Sequence, residues 1–177
     1  MIENKSDAVV AIFVIAMIVG GAYLYYSTYE NYTNKIGIFP EKLGDMKMIS
    51  FKGGYAAIEE IKGLHGGLPR RIDNAYVVDY TGNSSNKAKF WVTEASNHDD
   101  AVSLVNTMSG VVEDSGVYSN RTSMNIGGIN VYFVSGLAEH GLYHYFYAKD
   151  NRIFWIQIDN SNESYRINFL KESIRRI

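Results

Sequence analysis

Cysteine is absent from the 177 residues, which removes disulfides and thiolate metal sites and leaves the redox compartment open. Neither sign of charge dominates: 17 Lys and Arg are interspersed with 19 Asp and Glu, for a net charge of −2. That excludes the basic stripe of a nucleic-acid or polyanion binder. Phosphate-binding fingerprints are missing too, because the paired glycines at 53-54, 66-67 and 127-128 stand where elements break. No serine occupies the strand-turn-helix setting of an activated nucleophile.

The four histidines offer little more. His140 and His144 have the four-residue spacing of a helical metal motif. Here the segment crosses from loop into strand, where such a spacing opens to ~13 Å. No metal or cofactor is expected. His98, Asp99 and Asp100 stand at a predicted helix start, where capping accounts for them, and Asp79 and Glu94 belong to an exposed hairpin without a cleft. His65 precedes the glycine pair that ends a helix. No catalytic constellation is legible.

What the chain does have is an uncharged apolar run from Ala8 to Tyr26. About 20 helical residues cross a ~30 Å hydrocarbon core, so 8–26 reads as a transmembrane anchor in contact with lipid. Cleavage as a signal peptide fits less well, since the apolar core continues into Tyr23, Leu24, Tyr25 and Tyr26 without a small-residue site. These tyrosines, with Tyr29 and Tyr32, form an interfacial belt on the exit side. A seven-residue tail (1–7), an anchor (8–26), a stalk and entry segment (27–43) and one domain (44–177) follow. The expected topology is single-pass in the cell membrane, N-terminus inside and domain outside. Sequons at Asn31, Asn83, Asn120 and Asn162 fit an outward domain, although an Asn- and Ser-rich composition produces such triplets by itself.

Periodicity within the domain predicts an α+β fold, an antiparallel sheet of six to seven strands with helices packed on one face. Strands are expected near 46–51, 75–80, 88–94, 117–125, 129–134, 142–148 and 152–158. Helices are expected over 55–64, after Ser96 or Asn97, and from Asn162 onward. A weak internal repeat accompanies them. Phe90-Trp91-Val92 recurs as Phe154-Trp155-Ile156, 64 residues later, each in the second strand of a hairpin and each followed by a polar cap and an amphipathic helix. Duplication explains it, and chance similarity or the common architecture of two β-β-α units produces it without duplication.

Strand alternation then sorts faces. Phe90, Val92, Phe154, Ile156 and Ile158 should lie under the helices, with Trp91 and Trp155 together on the opposite, less covered face. Tyr132, Tyr143, Tyr145 and Tyr147 are expected to join them. This aromatic face is the candidate binding surface, for sugars or a protein partner, unless the stalk, residues 36–46 or a loop covers it as a second layer.

Several stretches together resemble a family. A single N-terminal span, Phe39-Pro-Glu-Lys-Leu-Gly, Ala56-Ala-Ile-Glu-Glu-Ile-Lys-Gly-Leu-His-Gly66, the Phe90-Trp91 strand and Asp100-Ala-Val-Ser-Leu104 are similar to uncharacterised archaeal membrane-anchored proteins. The resemblance implies an extracytoplasmic α+β domain and brings no activity or functional residue. The expected function is a non-enzymatic binding or accessory module of a surface or membrane complex, with a protein partner or self-association. A pilin-like filament subunit is the first alternative, although Lys5-Ser6-Asp7 is a poor prepilin processing site; an extracytoplasmic hydrolase is the second.

Overall fold

Period-two alternation becomes eight strands. A computed structural model describes residues 38–64, 72, 74–83, 86–136 and 142–177. The chain falls into two units, Met1–Ile38 and Phe39–Ile177. The apolar run 8–26, the stalk tyrosines and Asn31 lie outside the described residues, as do His65, the 66-67 glycines and His140. Among the described residues no helix is long and apolar enough to cross a membrane.

The second unit is α+β. Its strands are β1 (Lys42–Leu43), β2 (Met46–Gly53), β3 (Asn74–Thr81), β4 (Lys87–Glu94), β5 (Thr122–Ile126), β6 (Ile129–Ser135), β7 (Tyr143–Lys149) and β8 (Arg152–Asp159). Three helices are described, α1 (Tyr55–Leu64), α2 (His98–Asp114) and α3 (Glu163–Arg176). The strands form one antiparallel sheet in the order β1-β2-β3-β4-β8-β7-β6-β5. The count exceeds the expected six to seven because β1, at two residues, is too short to carry a period. At the β5-β6 turn Gly127 and Gly128 both have positive φ, 60° and 87°, the geometry that closes a two-residue hairpin with the right twist.

Both helix starts follow from sequence. Asn97 accepts from the Asp100 amide at 2.8 Å, and Asn162 accepts from the Tyr165 amide at 3.1 Å. Each cap satisfies an orphan amide of a first turn that also carries acidic residues.

The helices do not share one face. On one side of the sheet, Phe90, Val92, Phe154, Ile156 and Ile158 are buried beneath α3, with Phe169 against Phe90. The entry segment completes that layer: Phe39 makes edge contacts with Phe51, Tyr76 and Phe90, and Leu43 and Met46 are fully buried. Phe39, Leu43 and Met46 thus belong to the core, opposite the tryptophans. On the tryptophan side, Ala57 and Ile61 of α1 pack on Ala75 and Val77, while Ala101, Val105 and Val112 of α2 pack on Val134, Phe146 and Ile153.

One residue explains the division. In the sheet centre Phe90 pairs with Ile156, Trp91 with Trp155 and Val92 with Phe154. A two-fold axis along the sheet normal, passing between the tryptophans, would impose this register and keep each face on its own side. The strands therefore obey the 64-residue repeat. The caps do not, since Asn162 follows Asn97 by 65. The same spacing of 65 carries buried Ala101, Val105 and Ser109 onto buried Arg166, Leu170 and Ile174. One additional residue is the step by which an extended chain exchanges faces, and α3 leaves to the side opposite α2.

Candidate functional site

The centre of the sheet is sealed on one face and half-covered on the other. Along β4 and β8 every residue from Ala88 to Val92 and from Phe154 to Ile158 that faces α3 is buried, whereas Lys89, Trp91, Thr93, Trp155 and Gln157 on the other face are half-buried. Helix placement accounts for this. α1 lies over β2 and β3 and α2 over β7 and β8, and α1 reaches β4 through Glu60 on Lys89 and the cluster against which Trp91 packs.

The tryptophan pair lies at the centre of this face. Directly opposite residues on neighbouring strands hold their Cα atoms ~4.5–5.5 Å apart, and the two indoles pack into different clusters, Trp91 with α1 and Trp155 with α2. Trp91 packs on the cluster of Ala57, Ile61, Ala75 and Val77. Trp155 lies flat on Phe146, with ring centroids 4.9 Å apart and an interplanar angle of 10°. The stack continues to Tyr132, 5.3 Å from Phe146. The Trp155 indole donates to His144 Nδ1 at 3.0 Å, and Tyr118 meets both rings edge-on. The indole nitrogen of Trp91 is buried and makes no hydrogen bond.

The α1 wall is polar and internally neutralised. Lys89 Nζ lies 2.8 Å from Glu60 Oε1 and 3.8 Å from Asp79 Oδ1, and 5.0 Å from the Trp91 ring centroid. Lys52 reaches the other Glu60 oxygen at 2.6 Å. Burial opposes ionisation of Glu60, but the hydrogen bonds and charges of Lys52 and Lys89 outweigh it and hold the carboxyl below its ordinary range. Two cations meet two anions, and no net charge is left. Gln157, register partner of both Lys89 and His144, makes no side-chain hydrogen bond among the described residues.

Of the residues expected on this face, Trp91, Trp155 and Tyr132 are there. Tyr143, Tyr145 and Tyr147 are not: Phe146 pairs with Trp155, so alternation sends these tyrosines to the α3 side. There they serve packing. Arg166, 5% exposed, stacks 3.6 Å over Tyr143 and donates to the Tyr145 hydroxyl at 2.9 Å and to the carbonyls of Asn160 and Ser161. Burial pushes the phenols of Tyr145 and Tyr147 up. Asp79 and Glu94 stand on opposite faces, and Glu94 instead accepts from Arg152, Tyr76 and Asn74.

Sequence reasoning did not single out Lys89, His144, Tyr118 or Phe146 for this face. Lys89 lies two residues from a repeated tryptophan, a period-two signal. The other three required the β7-β8 register. Among the sequons, Asn83 and Asn120 are exposed, and exposed Asn162 is engaged as the α3 cap. On the tryptophan side, a cavity of about 200 Å³ opens between α2 and the β5-β6 turn, with Tyr132, Asn106 and His98 in its wall. Among the described residues no three His, Asp or Glu side chains converge as metal ligands. No protein family, curated protein or solved structure matches this chain.

Proposed function

We propose that the protein is a membrane-anchored, extracytoplasmic binding or accessory module, held by residues 8–26 and working through the tryptophan face of the sheet. The half-buried state of that face carries the reading. A sheet centre closed on one side by a complete aromatic and aliphatic layer is left, on the other, with indoles and polar side chains in partial contact with water. Large aromatics contribute most of the energy of contact surfaces when a partner completes their burial. The uncharged run 8–26 supports the anchor.

The test is purification of the full-length protein from its native membrane in mild detergent, followed by mass spectrometry of everything that accompanies it. A stoichiometric companion, lost on substitution Gln157→Lys on that face and retained on Val111→Lys on the outer surface of α2, supports the module. A companion retained by both variants overturns the assignment to the tryptophan face. An intact protein that carries no companion and no bound molecule overturns the module itself.

A further inference from the structure

We infer that Asn120 carries an N-linked glycan, and that the glycan stands over the outer edge of β5. The inference rests on the proposed extracytoplasmic placement of the domain and adds a modification to it. As triplets the sequons are equivalent, and the fold separates them. Transfer of a sugar to asparagine needs the amide and the hydroxyl two residues later to be accessible together. In Asn120-Arg121-Thr122 the middle residue arranges this. Arg121 is held against α2, donating to Ser109 Oγ and to Glu113 Oε2 at 3.3 Å each and lying 5.0 Å over the Tyr132 ring. Neighbours along an extended chain point opposite ways, so Asn120 and Thr122 share the side away from α2. Both are exposed, and neither side chain makes a hydrogen bond among the described residues.

Asn162-Glu163-Ser164 is placed differently. Its asparagine caps α3, with Oδ1 accepting from the Tyr165 amide at 3.1 Å, and its serine lies in the first helical turn. Asn83 is exposed, and its partner Ser85 lies outside the described residues. The surroundings of Asn120 give a glycan there a role, because the two edges of the sheet are not guarded alike. At the β1 edge stand a two-residue strand, a register shift between Met48 and Ser50, and the facing Lys42 and Lys47. Each is a device against pairing with another chain. β5 has none of them: Thr122–Ile126 keeps unbroken register with β6 and carries no charge and no proline. A bulky, hydrated glycan at Asn120, two residues before β5, blocks that edge.

The step joins the Asn120 amide nitrogen to the anomeric carbon of a lipid-linked sugar phosphate. The amide loses a proton, and the carbon–oxygen bond to phosphate breaks with its electron pair leaving on the lipid phosphate. The test is mass spectrometry of peptides from the full-length protein purified from its native membrane, beside labelling of intact cells with an amine reagent that cannot cross the membrane. Labelling of Lys42 and Lys47 in intact cells is expected, with a glycan mass on the Asn120 peptide that is lost in Asn120→Gln and Thr122→Val and retained in Asn162→Gln. The Asn120→Gln protein in detergent should self-associate more than the wild type in sedimentation, with its circular dichroism unchanged. If the lysines react from outside and the Asn120 peptide is bare, the glycan is overturned and the placement stands. If they react only after lysis, both are overturned. A glycan on Asn120 whose loss leaves sedimentation unchanged overturns the role at the edge alone.

Discussion

The indole N–H of Trp155 points at Nδ1 of His144 across 3.0 Å, and this contact sets the state of a buried imidazole. Indole only donates, so Nδ1 must hold a lone pair and the ring is neutral with respect to that atom. Tyr118 closes over both rings. The arrangement has no place for a proton on Nδ1.

Loss of the acceptor should therefore be felt at the indole. His144→Leu leaves the Trp155 indole without its acceptor and should cost about 1–3 kcal/mol. Urea unfolding of the two proteins checks this, and equal midpoints would count against the contact.

Alkali should act on the other face. Tyr165 donates to Asp45 Oδ1 at 2.6 Å; burial, then that hydrogen bond and the Asp45 charge, push its phenol up to about 12. A phenol raised above its unfolded value of ~10 contributes stability in full below that value and loses it as pH rises toward 12. Tyr165→Phe should flatten the alkaline limb of the stability curve between these limits. Phenolate absorbance should show one fewer late-titrating tyrosine.

Core and surface should separate cleanly. Phe90 is fully buried among Phe39, Tyr80 and Phe169, and Phe90→Ala should lower unfolding free energy by about 3–5 kcal/mol. Val111, 65% exposed, should change it by less than ~0.5 kcal/mol when replaced by Ser. Chemical denaturation of both variants tests the ranking, which fails if Val111→Ser matches Phe90→Ala.

The caps offer a finer comparison. Asn97→Ala and Asn162→Ala each remove one acceptor from a first-turn amide and should each cost about 1 kcal/mol. Amide exchange should quicken in α2 for the first and in α3 for the second. Exchange that quickens equally in both helices would show that the caps do not act locally.

Much of the element list was legible because it is local. Seven strands, both capped helices and the helix after the glycine break at 53-54 are written in alternation, in 3.6-residue spacing and in Asn at the two caps, and the chain reads these without distant help. The 64-residue recurrence of Phe-Trp likewise anticipated two strands of one kind. The tyrosines of β7 were misplaced for the opposite reason. Tyr143, Tyr145 and Tyr147 alternate as cleanly as Trp155 does, but alternation says only that they share a face with one another. Which face depends on β7-β8 register, a property of two strands together.

By itself, then, the sequence determined the uncharged run at 8–26, the strands, the helices and their caps, and the pairing of apolar residues into stripes, since each depends on spacing along one segment. Tertiary structure decided which stripes meet. The register of Trp91 with Trp155 put two indoles side by side. The 65-residue spacing of the caps, one more than the strands, sent α3 to the far side. α1 and α2 remain on the tryptophan face, over the two halves of the sheet. Helix faces are chosen by contacts that exist only when the sheet is formed, and so the half-buried tryptophan face, with two helices over it, was not legible in advance.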